Sequence, residues 1–452
     1  ATAPERTKRA AILVLLTLLV PGGAQVVAGN RRLGRAALRV TMTVWAALLV
    51  CLLLSFVARG WLLNVLANPV VLGVLAVVLL VLALGWLVLW VGTFRLLQVR
   101  LLAPGAKMLT VAVTILALVL TTGGLTYGAY LTNAGRTSIG KIFGDGPKVP
   151  SQDGRYNFLV MGGDAGEGRV GLRPDSIHVV SINARTGATM LFSIPRNFQN
   201  AQFTEDSPLW DVYPDGYNCG DECIINSLYV DVTNNHSDLY PGAEDPGAEA
   251  MVDAAGGILG LDMSGYVLVD MGGFSQLIDA MGGITLTSGG WVTHRGERPD
   301  DQWGNAWWAP GTHELDGKNA LAFARSRKYS TDYSRIRRQQ CMQQAMLQQF
   351  SPRTVLARFE EIMDAGEQIV ETNLPQSQLG TFVDLGEKAR GKKMQRLTIG
   401  APDFGDAGDK FSTFPDFDQI HERVGQMMEE DGTPVVPGAE TQSPAGAALP
   451  LL

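Results

Sequence analysis

Four stretches without a charged residue, 10–30, 40–58, 60–94 and 108–135, fill most of the first third of the chain. An apolar run of about 20 residues spans a bilayer core, so the last three are long enough to cross one as helices. They predict a membrane region over 1–131 with transmembrane segments at about 40–58, 70–94 and 108–131. The first stretch is broken by Pro21-Gly22-Gly23 and has basic residues on both flanks. The positive-inside rule puts both flanks in the cytoplasm, so 10–30 reads as a re-entrant or interfacial hairpin and not as a span.

After a Gly-, Lys-, Pro- and Ser-containing segment, 132–154, read as a linker, the pattern changes to short alternating elements. Strands are expected at Asn157–Met161, Ser176–Asn183, Ala188–Ile194, Tyr266–Asp270, Gly283–Thr287 and near Arg396–Ile399. Helices are expected at Glu249–Leu259, Phe274–Met281, Gly317–Ala324 with Asp316 as N-cap, and from Asp332 or Ser334 to about Phe350. Strands alternating with helices predict an α/β fold, an αβα sandwich with a mixed central sheet, over 155–402. Residues 403–452 read as a C-terminal extension with a disordered tail from about 431.

Charge changes the picture. Residues 1–131 carry a net +10 and the remaining 321 residues −17. A purely soluble enzyme, a disordered chain and a nucleic-acid binder are excluded, because the N-terminal basic residues lie between apolar runs and not on one solvated surface. With Arg39 and the Arg95, Arg100, Lys107 loop inside, three spans leave residues 132–452 outside: a multi-pass cell-membrane protein with an extracytoplasmic domain. Cys219 and Cys223 in Cys-Gly-Asp-Glu-Cys would then meet an oxidising compartment that allows a small disulfide loop, whereas two cysteines without a second pair or a nearby His are too few for a metal site.

Candidate chemistry sits at strand ends. Gly162-Gly163-Asp164 follows a strand, where glycines let an anionic ligand approach the backbone and an Asp can hold a divalent cation, although the same tripeptide makes ordinary turns. Arg173-Pro174-Asp175 enters the next strand with Arg and Asp on one side, and Pro195-Arg196-Asn197 ends another. The segment Arg325–Arg338 holds Arg325, Arg327, Lys328, Arg335, Arg337 and Arg338 against Asp332, a charge of +5 inside an acidic domain. Arg335 and Arg338 share a helix face, and the planar guanidinium fork suits phosphate oxygens; a solvated helix face is the rival reading. Trp303, Trp307 and Trp308 can stack on sugar rings but more often pack, and His178 reads as a core histidine.

In order along the chain stand Asn157-Phe-Leu-Val-Met-Gly-Gly-Asp164, Arg173-Pro-Asp-Ser-Ile-His178, Phe192-Ser-Ile-Pro-Arg196, Ile225-Asn-Ser-Leu-Tyr229, Val269–Ile284, Leu315–Arg327 and Arg335-Ile-Arg-Arg-Gln-Gln340. This ordered set, over about 157–345, resembles the LytR-CpsA-Psr family of cell-wall phosphotransferases. Two departures stand out: Gly-Gly-Asp-Ala-Gly where the family has Gly-Ser-Asp-Ser/Thr-Arg, and Asn197 where it has Asp. The resemblance implies transfer of a glycopolymer from a polyprenyl-pyrophosphate carrier to peptidoglycan, with an arabinogalactan-type polymer suggested by composition. It implies Mg²⁺ (or Mn²⁺) on Asp164 and Asp175, and Arg173, Arg196, Arg325, Arg327 and Arg335 with Asp175 in catalysis. Arg338, Gly163, Asn226 and Gln339 would bind substrate, and Asp175 or Asp332 would take the acceptor proton. Alternatives are a polyprenyl-pyrophosphate hydrolase and a non-catalytic membrane regulator that binds polyprenyl phosphate.

Overall fold

A computed structural model describes residues 3–102, 104–144, 146–164, 173–293, 307–326, 329–349, 358, 361–362, 370–408 and 413–431. Arg327, Trp303 and the tail beyond 431 lie outside the described residues. The chain divides into two compact units, one of residues 1–139 with 379–381, the other of 140–378 with 382–452.

In the first unit, helix α1 (Ala3–Leu19) breaks at Pro21-Gly22, where Gly22 takes φ 96, and resumes as α2 (Gly23–Ala28). The break is covered by protein: Gln25 Nε2 donates to the Leu89 carbonyl at 2.8 Å and to Thr93 Oγ1 at 3.0 Å. Helices α3 (Arg31–Val57), α4 (Arg59–Ala67), α5 (Pro69–Leu96), α6 (Pro104–Leu118) and α7 (Gly124–Ile142) follow. Among the described residues three helices are long and apolar enough to cross a membrane, 31–57, 69–101 and 105–142, and they form the membrane-anchoring region. The expected linker is shorter than 132–154, because α7 runs to Ile142. Its polar residues extend the helix instead of ending it: the hydroxyls of Thr132, Thr137 and Ser138 each donate to the carbonyl four residues back.

The second unit is built on a six-stranded mixed sheet in the order β10-β3-β2-β1-β4-β9. Its strands are β1 (Arg155–Asp164), β2 (Arg173–Asn183), β3 (Thr189–Ile194), β4 (Gly265–Asp270), β9 (Val370–Thr372) and β10 (Gln395–Thr398). The β1–β4 and β3–β10 pairs are parallel, and the other three are antiparallel. Helices α8 (Ile225–Asn235) and α9 (Pro246–Leu259) close one face over Leu159, Met161, Val179 and Phe192. Helices α10 (Met271–Met281), α11 (Gly317–Arg325) and α12 (Asp332–Gln349) belong to the layer on the other side, which makes the αβα sandwich expected from the sequence. Strand β5 (Ile284–Ser288) forms where expected but leaves the main sheet. It pairs with β8 (Gly311–Leu315), and between them β6 (Val292–Thr293) pairs with β7 (Trp307–Trp308).

The domain does not end at 402. A helix at Phe417–Glu430 presents Ile420, Val424, Met427 and Met428, a stripe at i, i+4, i+7 and i+8, to the same core as Leu159 and Phe192. Asp431, just past it, pairs with the guanidinium of Arg155, which is 2% exposed and also donates to Ser181 Oγ at 2.8 Å. Residues 403–431 are therefore part of the fold and not an extension. Cys219 and Cys223 are joined as a disulfide.

Candidate active site

The carboxyl end of β1 and the start of β2 form the base of the site. Their register steps at Gly162/Gly163: Gly162 faces Ser176 while Gly163 faces Pro174, so Asp175 is the extra residue of a β-bulge. A bulge bends its strand and re-aims a side chain. Here it directs Asp175 to Arg196, whose Nη1 lies 2.7 Å from Asp175 Oδ1. Arg196 follows the end of β3, and its carbonyl accepts from the Asn226 N–H at the start of α8 at 3.2 Å. Asn226, expected to bind substrate, thus steadies the backbone that carries Arg196.

Helix α12 brings the second half. Asp332 opens it and accepts from Arg335 Nη2 at 2.9 Å, while Arg196 Nε lies 4.0 Å from the same oxygen, Oδ1. Asp175, Arg196, Asp332 and Arg335 therefore form one chain of alternating charge. Its exposure is uneven: the Arg335 side chain is 4% exposed and the Arg196 side chain 31%. Half-exposed pairs contribute little to stability, about 0–1 kcal/mol, so the arrangement is better suited to holding a ligand's charge than to holding the fold.

Beside this chain opens a cavity of about 490 Å³. Its walls are apolar, from Val160 and Met161 of β1, Phe274 and Leu277 of α10, Leu321 of α11, and Met342 and Met346 of α12. Asp175, Ser176, Arg325, Arg335 and Gln339 also border it. An apolar cavity with a few convergent polar groups is the usual form of a small-molecule site, in the range of about 300–1,000 Å³. Helix α11 delivers Arg325 through a close packing on α10: a Cβ at Gly317 would lie 1.9 Å from the Ser275 carbonyl oxygen. The Asp316 carboxylate caps that helix by accepting from the Asn319 N–H at 2.8 Å.

The remaining sequence candidates fall as follows. Gly163 pairs with Asp270 of β4 at the floor of the site, and Asp164 pairs with Arg173 in the strand register. Arg173 is exposed at the entrance of β2. Gln339 Oε1 accepts from Ser176 Oγ at 3.3 Å at the cavity wall. Arg338 does not line the cavity; its guanidinium donates to the Ser326 carbonyl and to Ser330 Oγ. Burial, then the charges of Arg335 and Arg337, lower its pKa to about 10. Beneath the site His178 is fully buried, with Nδ1 2.8 Å from Ser193 Oγ. Burial pulls its pKa down to about 4, the nearby Gln339 side chain opposes that shift and the Arg335 charge adds to it. It is a core histidine, as expected, but only half satisfied: Nδ1 meets Ser193 while the buried Nε2 has no hydrogen-bond partner among the described residues.

Among the described residues no three His, Cys, Asp or Glu cluster as metal ligands. That fits Mg²⁺ only in its common form, in which one or two carboxylates bind it and substrate phosphates complete the shell. Sequence reasoning named Asp332 only as one possible proton acceptor and overlooked the cavity. Both signals were in α12, where Arg335, Gln339, Met342, Gln343 and Met346 recur at helical spacing and all face the cavity.

A family model, the LytR_cpsA_psr family, matches residues 130–426. Biofilm regulatory protein A of Streptococcus mutans is 25% identical over 284 residues, 60% of this chain and 63% of that protein, so the match spans just under two thirds of that relative. The polyisoprenyl-teichoic acid–peptidoglycan teichoic acid transferase TagU of Bacillus subtilis is 27% identical over 277 residues, 59% of this chain and 78% of that protein. Among solved structures, that of B. subtilis TagV is 23% identical, with a TM-score of 0.44 over 62% of this chain and 98% of that one.

Proposed function

Since this chain belongs to the LytR-CpsA-Psr family, we propose that it transfers a glycopolymer from a polyprenyl-pyrophosphate carrier to peptidoglycan. The observation that carries the reading is an apolar cavity bordered by Arg325 and Arg335 and continued by the Asp175–Arg196–Asp332 chain. A polyprenyl pyrophosphate has the same two parts, a hydrocarbon tail and a compact anion, and the cavity matches them in that order. The relative from B. subtilis is named for the same class of reaction, with teichoic acid as its polymer.

In the proposed reaction a peptidoglycan hydroxyl attacks the phosphorus that bears the glycopolymer. The bond from that phosphorus to the bridging oxygen breaks, a phosphodiester link forms, and polyprenyl phosphate leaves. Phosphoryl transfer asks mainly for positioning and charge stabilisation. Arg196, Arg325 and Arg335 would neutralise the phosphate oxygens, each through a planar fork. Asp332, held between two arginines, would accept the hydroxyl proton, or Asp175 would do so from the bulge. Asp164 and Asp175 would hold Mg²⁺ or Mn²⁺ together with the substrate phosphates; the cation would supply further neutralisation of the pyrophosphate charge. With water as acceptor, the same clamp would give pyrophosphate hydrolysis as a side activity.

The catalytic unit would face the outside of a membrane crossed three times. The charge asymmetry of the loops and the Cys219–Cys223 disulfide support that topology. The test of function is incubation of the full chain in lipid nanodiscs with a radiolabelled lipid-pyrophosphate glycopolymer and purified peptidoglycan. Label covalently fixed to insoluble peptidoglycan, with release of polyprenyl phosphate, is the expected result. Release without fixation would leave hydrolysis, and neither would refute the proposal.

A further inference from the structure

Next to Arg325 and Ser326, which border the cavity, the chain carries aromatic residues that the charge chemistry does not use. Strand β7 alternates its two tryptophans, as a strand must. Trp308 turns inward, edge-on to Phe323 at 5.5 Å, and packs on the core between α11 and α12. Trp307 turns the other way and stacks on Tyr329, with ring centroids 5.8 Å apart and planes 21° apart. Tyr329 is 67% exposed and holds φ at 61, a left-handed conformation that a bulky residue rarely adopts. Such a conformation persists where the surroundings impose it, and it points to function.

The surroundings do impose it. Arg338 grips the Ser326 carbonyl and Ser330 Oγ, on either side of Tyr329 in the chain. Ser326 Oγ in turn lies 2.6 Å from Thr293 Oγ1, and Thr293 is the β6 partner of Trp307. Ser326 and Arg325 border the cavity. The stacked pair is therefore tied by a short path of hydrogen bonds to Ser326, which borders the cavity, and Tyr329 of the pair is largely exposed. A sugar ring matches such a surface: its C–H face packs on an aromatic ring while its hydroxyls stay hydrated.

We propose that Trp307 and Tyr329 form a carbohydrate subsite at the cavity rim, which takes a sugar ring of the glycan next to the reacting phosphate. The inference rests on the transferase reading, because the glycan is placed by the pyrophosphate it carries or will receive. Tyr329→Asn keeps a residue that tolerates the left-handed backbone and removes the ring; Tyr329→Phe keeps the ring. The apparent KM for a lipid-pyrophosphate-linked oligosaccharide should rise about threefold to tenfold in Tyr329→Asn, the size expected of one aromatic contact, and less than about twofold in Tyr329→Phe. Turnover of polyprenyl pyrophosphate without sugar should be the same in both variants and the parent.

Calorimetric titration with carrier-free glycopolymer and, separately, with soluble peptidoglycan fragments distinguishes the donor from the acceptor as the source of the ring. Binding of one of them that is lost in Tyr329→Asn supports the subsite and names its occupant, even if the parent proves inactive as a transferase. Unchanged KM for the oligosaccharide substrate together with unchanged titrations would overturn it.

Discussion

Replacing Arg335 by Lys keeps the positive charge and removes the planar fork. In the structure Arg335 Nη2 lies 2.9 Å from Asp332 Oδ1 and 3.1 Å from Oδ2, from a side chain 4% exposed at the cavity border. A lysine ammonium can meet the carboxylate or a phosphate oxygen as a point charge, but not both in one plane. A hydrogen bond to a charged group is worth about 1.5–3 kcal/mol, so turnover should fall about tenfold to 150-fold at 1.36 kcal/mol per tenfold. Stability should change much less, because Asp332 is 28% exposed and stays near Arg196; a melting shift of about 2–4 °C corresponds to 1 kcal/mol in a domain of this size. Arg337→Lys is the control: its side chain is exposed two residues along the same helix and contacts only Ser334 Oγ, at 3.3 Å, among the hydrogen bonds described. The assay is release of polyprenyl phosphate by the two variants and the parent, with melts in parallel. Parent-like turnover in Arg335→Lys would refute the clamp, since charge alone would then suffice.

Three further outcomes are expected. Chelation with EDTA, or Asp175→Ala, should abolish turnover with the melt unchanged within about 1 kcal/mol; full activity in chelator would remove the cation from the proposal. The folded pKa of His178, about 4, lies below its unfolded value near 6.5, so its neutral form contributes stability that is present above about pH 6.5 and is lost as pH falls toward 4. Denaturant melts of His178→Gln at pH 7.5 and 4.5 should show about 2–3 kcal/mol less acid loss than the parent, and equal losses would contradict the buried neutral assignment. Asp431→Ala strands the buried Arg155 guanidinium and should cost about 2–4 kcal/mol, toward the low end for a broken buried pair because Arg155 keeps Ser181 and the Ala188 carbonyl; a parent-like urea midpoint would show that the C-terminal helix is not anchored there.

How far the sequence was legible follows from the range of the interactions. The apolar spans, five of the six sheet strands and the cap at Asp316 are local patterns and appear where expected, whereas the short edge strand β9 was not foreseen. The two halves of the arginine chain were named because each lies in a short motif, at 173–196 and 325–338. Their junction was not legible, because the approach of Arg196 to Asp332 joins residues 136 positions apart and depends on how α12 lies on the sheet. The cavity was hidden for the same reason: Val160, Phe274 and Met346 read separately as ordinary core. The C-terminal helix is a different kind of miss. Ile420, Val424, Met427 and Met428 carry the helical period openly, and the Gly- and Pro-rich residues around them obscured it. Arg327 and the side chain of Asp164 lie outside what the structure describes.

The order of strands across the sheet also bears on how the chain is made. Both outer strands, β9 and β10, come from residues 370–398, whereas the four inner ones are complete by residue 270. While the chain is being synthesised, the inner strands have unpaired edges until residues 370–398 are delivered, and the core still lacks its closing helix. Edges of this kind recruit other strands, and long-range pairing of this kind is slow. A nascent domain stalled before residue 370 would hold the residues of the candidate site on a sheet with unpaired edges, an aggregation hazard. The domain is therefore complete only once residues 370–431, with both outer strands and the closing helix, have been delivered.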